Sequence, residues 1–61
     1  MAVLTTKELM GISDQLDMEK VLHCKYLSAA QETQDKQLKT CYTNLSNQHK
    51  QNYGTLLGYL D

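Results

Sequence analysis

From Leu9 onward the chain places an apolar or seam-type residue at alternating steps of three and four: Leu9, Ile12, Leu16, Glu19, His23, Tyr26 and Ala30. That spacing returns to one side of an α-helix every turn, whereas on a strand the same residues would scatter over both faces. Leu22, Leu27 and Ala29 widen the stripe to the three-in-seven face that helical bundles bury, broader than a simple coiled-coil seam. A second stripe follows at Leu38, Tyr42, Leu45, His49, Asn52 or Tyr53, Leu56 and Leu60, with Cys41 and Leu57 beside it. Pro, Phe and Trp are absent, which suits long helices better than packed sheets.

Each stripe has a start signal. Thr5-Thr-Lys-Glu8 reads as a capping box, with Leu4 and Leu9 placed for a hydrophobic staple around it. The rhythm falters at Glu32-Thr33-Gln34-Asp35, and Asp35 is a good N-cap for a second helix starting at Lys36. The sequence therefore predicts an all-α single domain over 1–61, an antiparallel two-helix hairpin with helices at about 5–33 and 35–60. Gly11 is an internal cost of roughly 1 kcal/mol to the first helix.

With the turn centred near Gln34, residues whose numbers sum to about 68 lie level with each other. Leu9 then meets Tyr59, Ile12 meets Leu56, Leu16 meets Asn52, Glu19 meets His49, His23 meets Leu45, Tyr26 meets Tyr42 and Ala30 meets Leu38. Apolar residues face each other along most of the seam, and the polar ones gather at one level. Leu9, Ile12, Leu16, Leu22, Tyr26, Leu38, Leu45 and Leu56 are the expected core and dimer seam. A 61-residue chain buries too little surface to be secure alone, and a lone hairpin leaves half of each stripe wet. The expectation is a homodimer, two hairpins closing a four-helix bundle.

Six lysines against seven acidic residues give a net charge of −1, and arginine is absent, so nucleic-acid binding has no electrostatic footprint. No apolar stretch approaches the roughly 18 residues of a membrane span, and the first residues do not read as a secretory leader. Synthesis in the cytosol is expected. Cys24 and Cys41 lack metal-motif spacing and read as small buried or half-buried thiols ahead of a disulfide.

Glu19 and His23 share a face one turn apart, and His49 should oppose Glu19, so these three are the candidate metal ligands, of a type suited to zinc, manganese or iron. Carboxylate-bridged di-metal bundles need a Glu three residues before such a histidine; here that position is Ser46, which cannot bridge metals. The favoured reading is a Glu19–His49 layer that fixes register and partner choice, with no resident cofactor. No catalytic residue is expected: Cys24 follows His23 directly, and adjacent helical side chains point about 100° apart. The four tyrosines read as amphipathic bundle residues, and Gly54-x-x-x-Gly58 as a place of close helix approach.

Leu4-Thr-Thr-Lys-Glu-Leu-Met10, Asp14-Gln-Leu16, Glu19, Lys25-Tyr26, Ala30, the turn from Asp35 to Leu38, and His49 followed by Tyr53 and Leu56-Leu57 together resemble the small proteins related to spore coat protein F of endospore-forming Firmicutes. The likeness spans nearly the whole chain. It implies a ferritin-like helical hairpin or bundle, no established enzymatic activity, synthesis in the mother cell, a place in the spore coat or in sporulation, and other coat proteins as partners. It also connects Glu19 and His49 with a ferritin-like metal centre, a pattern that Ser46 breaks. Asp35-Lys36 stands where such proteins often have Asp-Pro.

Overall fold

A computed structural model describes residues 3–60; the predicted domain's ends at Met1, Ala2 and Asp61 lie outside them. Helix α1 covers Thr6–Glu32, helix α2 covers Lys36–Leu57, and a 3-10 turn closes the chain at Gly58–Leu60. The two helices pack antiparallel over their length as a hairpin whose Cα atoms span 46 × 16 × 11 Å, a slab one helix thick.

The capping box forms in full: the Glu8 amide donates to Thr5 Oγ1 at 3.1 Å, and the Thr5 amide donates to Glu8 Oε1 at 3.1 Å. Two of the amides that a helix start leaves without partners are thereby satisfied. The turn is the three residues Thr33, Gln34 and Asp35. Thr33 caps α1 with extended backbone (φ −75°, ψ 141°) while its N–H still reaches the Ala29 carbonyl at 3.0 Å. Because no described residue takes a positive φ, this helix end needs no glycine, which is why the sequence shows none there. Thr33 Oγ1 accepts from the Asp35 amide, and Asp35 Oδ1 accepts from the amides of Gln37 (2.8 Å) and Leu38 (3.0 Å), launching α2.

α2 ends at Leu57, earlier than the 60 expected, because its last turn tightens: the Gly58 N–H reaches back towards the Gly54, Thr55 and Leu56 carbonyls. The glycines do not serve close helix approach as expected. A Cβ built on Gly54 or Gly58 meets nothing within 4 Å, and the same holds for Gly11. Gly54 is thus an unrewarded entropic cost in a helix interior, and Gly54→Ala should stabilise the hairpin by about 0.5–1 kcal/mol, read as a rise in thermal midpoint by circular dichroism.

Only Leu16 and Ala30 are buried apolar residues among those described. Of the other expected seam positions Ile12, Leu22, Tyr26 and Leu56 are half-buried, whereas Leu9, Leu38 and Leu45 remain exposed. Each helix has one neighbour, so a broad stripe covers only its centre line. Full burial of one leucine supplies about 1.5–3 kcal/mol, far from the ordering cost of about 1–2 kcal/mol per residue. Cys24 and Cys41 correct the sequence reading: both are free and exposed, since each falls off the centre line of its stripe.

Candidate functional site: a polar layer between the helices

The interior of the hairpin is polar at its middle. Ser46 is the most buried residue described (1% exposed), and Glu19 is nearly as deep (6%). Glu19 is on its stripe, and Ser46 stands beside Leu45 on the side of α2 that faces α1, so the fold forces both inward along with Leu16 and Ala30.

Glu19 meets His49 as the register requires, with Oε2 2.9 Å from Nδ1. Its other oxygen, Oε1, accepts from Gln15 Nε2 at 3.1 Å, one turn back on the same helix. An ionised carboxylate can only accept, so His49 carries a proton on Nδ1. Glu19 is held below the ordinary glutamate value of 4.5, first by the hydrogen bond from His49 and further by Asn52 and Gln15, against the opposing effect of burial. The His49 ring lies flat on Tyr26 (centroids 5.7 Å apart, 10° between planes), and Tyr26 stacks in turn on Tyr42 at 6.0 Å. The Tyr26–Tyr42 pair is the one the register places level.

His23 lands one residue away from its expected partner. It engages Ser46 where Leu45 was expected, while Leu45 faces solvent. The reason is hydrogen bonding: His23 Nδ1 lies 2.8 Å from Ser46 Oγ and 2.9 Å from the Ser46 carbonyl oxygen, and Ser46 Oγ donates to the His23 carbonyl at 3.0 Å. A carbonyl accepts only, so Nδ1 of His23 also bears its proton. One serine and one histidine thus lock the two helices together through side chain and backbone. Every buried side-chain polar atom among the described residues has a partner.

Sequence reasoning valued Ser46 only for the carboxylate it replaces. Its signal was available in its position: three before His49, on the inward side of α2, a small hydroxyl where an apolar residue would be routine. Beside the layer, Glu19, Lys20, His23, Lys50 and Tyr53 line an open cleft on one broad face of the slab.

The expected metal ligands Glu19, His23 and His49 are close neighbours, but they are engaged separately. Among the described residues no three His, Cys, Asp or Glu side chains form a group able to hold a metal ion. Glu19 spends both oxygens on His49 and Gln15, and His23 turns Nδ1 to Ser46. One hairpin by itself does not fit a ferritin-like metal centre. No helix among the described residues is long and apolar enough to cross a membrane.

Comparison of the chain with models of protein families, with curated proteins and with solved structures finds no match in any of the three.

Proposed function

We propose that this chain is a non-enzymatic structural protein of the spore coat that works by associating with itself, two hairpins closing a four-helix, ferritin-like bundle. The observation that carries the self-association is the imbalance of the hairpin: Leu16 and Ala30 are buried, while Met18, Leu38, Leu45 and Tyr59 all stay more than a third exposed. Apolar surface at this density on a small helical slab is covered by another layer of helices in stable proteins. The coat setting is supported by the resemblance carried by Leu4 to Met10, Glu19, Lys25-Tyr26 and His49.

The polar layer serves this role by setting register. Glu19 with His49 and His23 with Ser46 hold the helices at one stagger, so each hairpin presents the same surface to its neighbour.

Two measurements test the reading. Sedimentation equilibrium should give twice the 7.0 kDa chain mass at micromolar concentration, and a folded monomer there overturns self-association. A fluorescent fusion expressed in an endospore-forming host should collect around the developing spore, and a signal that stays diffuse through sporulation overturns the coat assignment. Stoichiometric zinc, manganese or iron in the purified protein would instead favour a small metal-binding protein using Glu19, His23 and His49.

A further inference from the structure

The two broad faces of the slab are chemically different. On α1, Gln15 lines one cleft with Glu8, Ile12, Leu56 and Tyr59, whereas Lys20 lines the other with Lys50 and Tyr53. Gln15 and Lys20 are five residues apart, about 140° around the helix, so the two clefts open on opposite sides. Met18 and Leu22 follow Gln15 by three and seven residues and share its side. On α2, Leu38, Leu45 and Leu56 fall within about 20° of one line, with Cys41 standing outward between the first two. Lys50 is about 120° from Leu56, on the opposite side. Between Leu38 and Leu56 no charged residue of α2 stands on the first face.

The amount of surface to be covered is also defined. The chain exposes 4879 Å², whereas a compact monomer of 7.0 kDa exposes about 4,000 Å². The excess of about 800 Å² is what each partner buries in a standard protein interface. Every copy carries the same excess, the α2 side of the first face is free of charge, and a slab one helix thick becomes a two-layer domain by acquiring one more slab.

Building on the self-association proposed above, we infer that the second copy docks on the face of Met18, Leu22, Leu38, Cys41, Leu45 and Tyr59, by a two-fold contact that leaves the Lys20–Lys50 face in solvent. Met18, Leu38, Leu45 and Tyr59 are the exposed side chains this contact covers. Leu27 is excluded from it, lying seven residues beyond Lys20 on the lysine side.

The two native thiols provide the test, because both are exposed in a single hairpin and only Cys41 lies on the docking face. In the intact protein at a concentration where sedimentation shows dimer, Cys41 should alkylate with iodoacetamide at least about tenfold more slowly than Cys24, as expected when reaction requires transient opening. Dilution into the monomer range should bring the two rates together. Leu45→Glu should dissociate the dimer, and Leu27→Glu should leave it intact. A dimer with equal thiol rates, or one broken by Leu27→Glu and not by Leu45→Glu, overturns the face while self-association stands. A folded monomer overturns both, and protection of Cys41 that arises only on adding a different protein overturns the second copy as occupant.

Discussion

Replacing Ser46 with leucine is expected to destabilise the hairpin by about 2 kcal/mol or more, a larger loss than removing any exposed leucine. Ser46 is 1% exposed and lies where the two helices touch, with its hydroxyl between His23 Nδ1 and the His23 carbonyl. A leucine adds two heavy-atom positions to a site without room, an overpacking cost of about 1–3 kcal/mol. It also takes from the His23 carbonyl the hydroxyl that donates to it and leaves His23 Nδ1 with the backbone carbonyl of residue 46 alone, costing about 1 kcal/mol more. For a chain of this size each kcal/mol moves the thermal midpoint by roughly 4–8 °C, so a drop of at least about 8 °C should appear in a circular dichroism melt. Ser46→Ala keeps the space and loses the hydrogen bonds, and about 1 kcal/mol is expected. A leucine variant as stable as the alanine variant would show that the helices do not meet closely at this point.

These two substitutions probe what the sequence made legible and what it hid. The hairpin was legible because its signals are local: the Thr5–Glu8 box and the Asp35 cap are read within four residues, and both form. The Glu19–His49 and Tyr26–Tyr42 pairs were legible because the short turn fixes the stagger of two helices, so one alignment determines all the rungs. His23 broke the alignment by one residue because a histidine seeks a hydrogen-bond partner before it seeks a level neighbour, and Ser46 offered both a hydroxyl and a carbonyl.

Depth was the quantity that periodicity could not supply. A stripe at helical spacing says which residues lie on one side, and how far each is covered depends on the second helix and on any further layer. Leu9, Leu38 and Leu45 belong to their stripes and remain exposed, while Ser46, of no apolar value, is buried. The same gap explains the cysteines, whose small apolar character suggested burial and whose angular position gives exposure. Gly54 and Gly58 failed for a related reason: close approach needs a partner backbone, and none lies against them.

Acid should expose the contribution of Glu19. Its carboxyl is held below the ordinary value of 4.5, chiefly by the hydrogen bond from His49, so in acid the unfolded chain binds more protons at this group than the folded hairpin. Stability therefore rises with pH across this range: the contribution is fully present above the unfolded value and is lost as pH falls through the folded one. Glu19→Gln preserves shape and leaves an amide oxygen to accept from His49 Nδ1, and the exposed Gln15 amide can turn its oxygen to the new NH2, so the charge is the main thing removed. The variant should melt below the wild type at about pH 7, and the two curves should draw together as the pH falls below the ordinary glutamate value of 4.5. Part of the acid sensitivity should survive in the variant, because Glu8 is also held below its ordinary value, first by the Thr5 amide. Thermal melts of both proteins at several pH values would show this as a shallower acid limb in the variant. Parallel limbs would mean that the Glu19 charge does not stabilise the layer, and the register would then rest on His23 and Ser46 with the tyrosine stack.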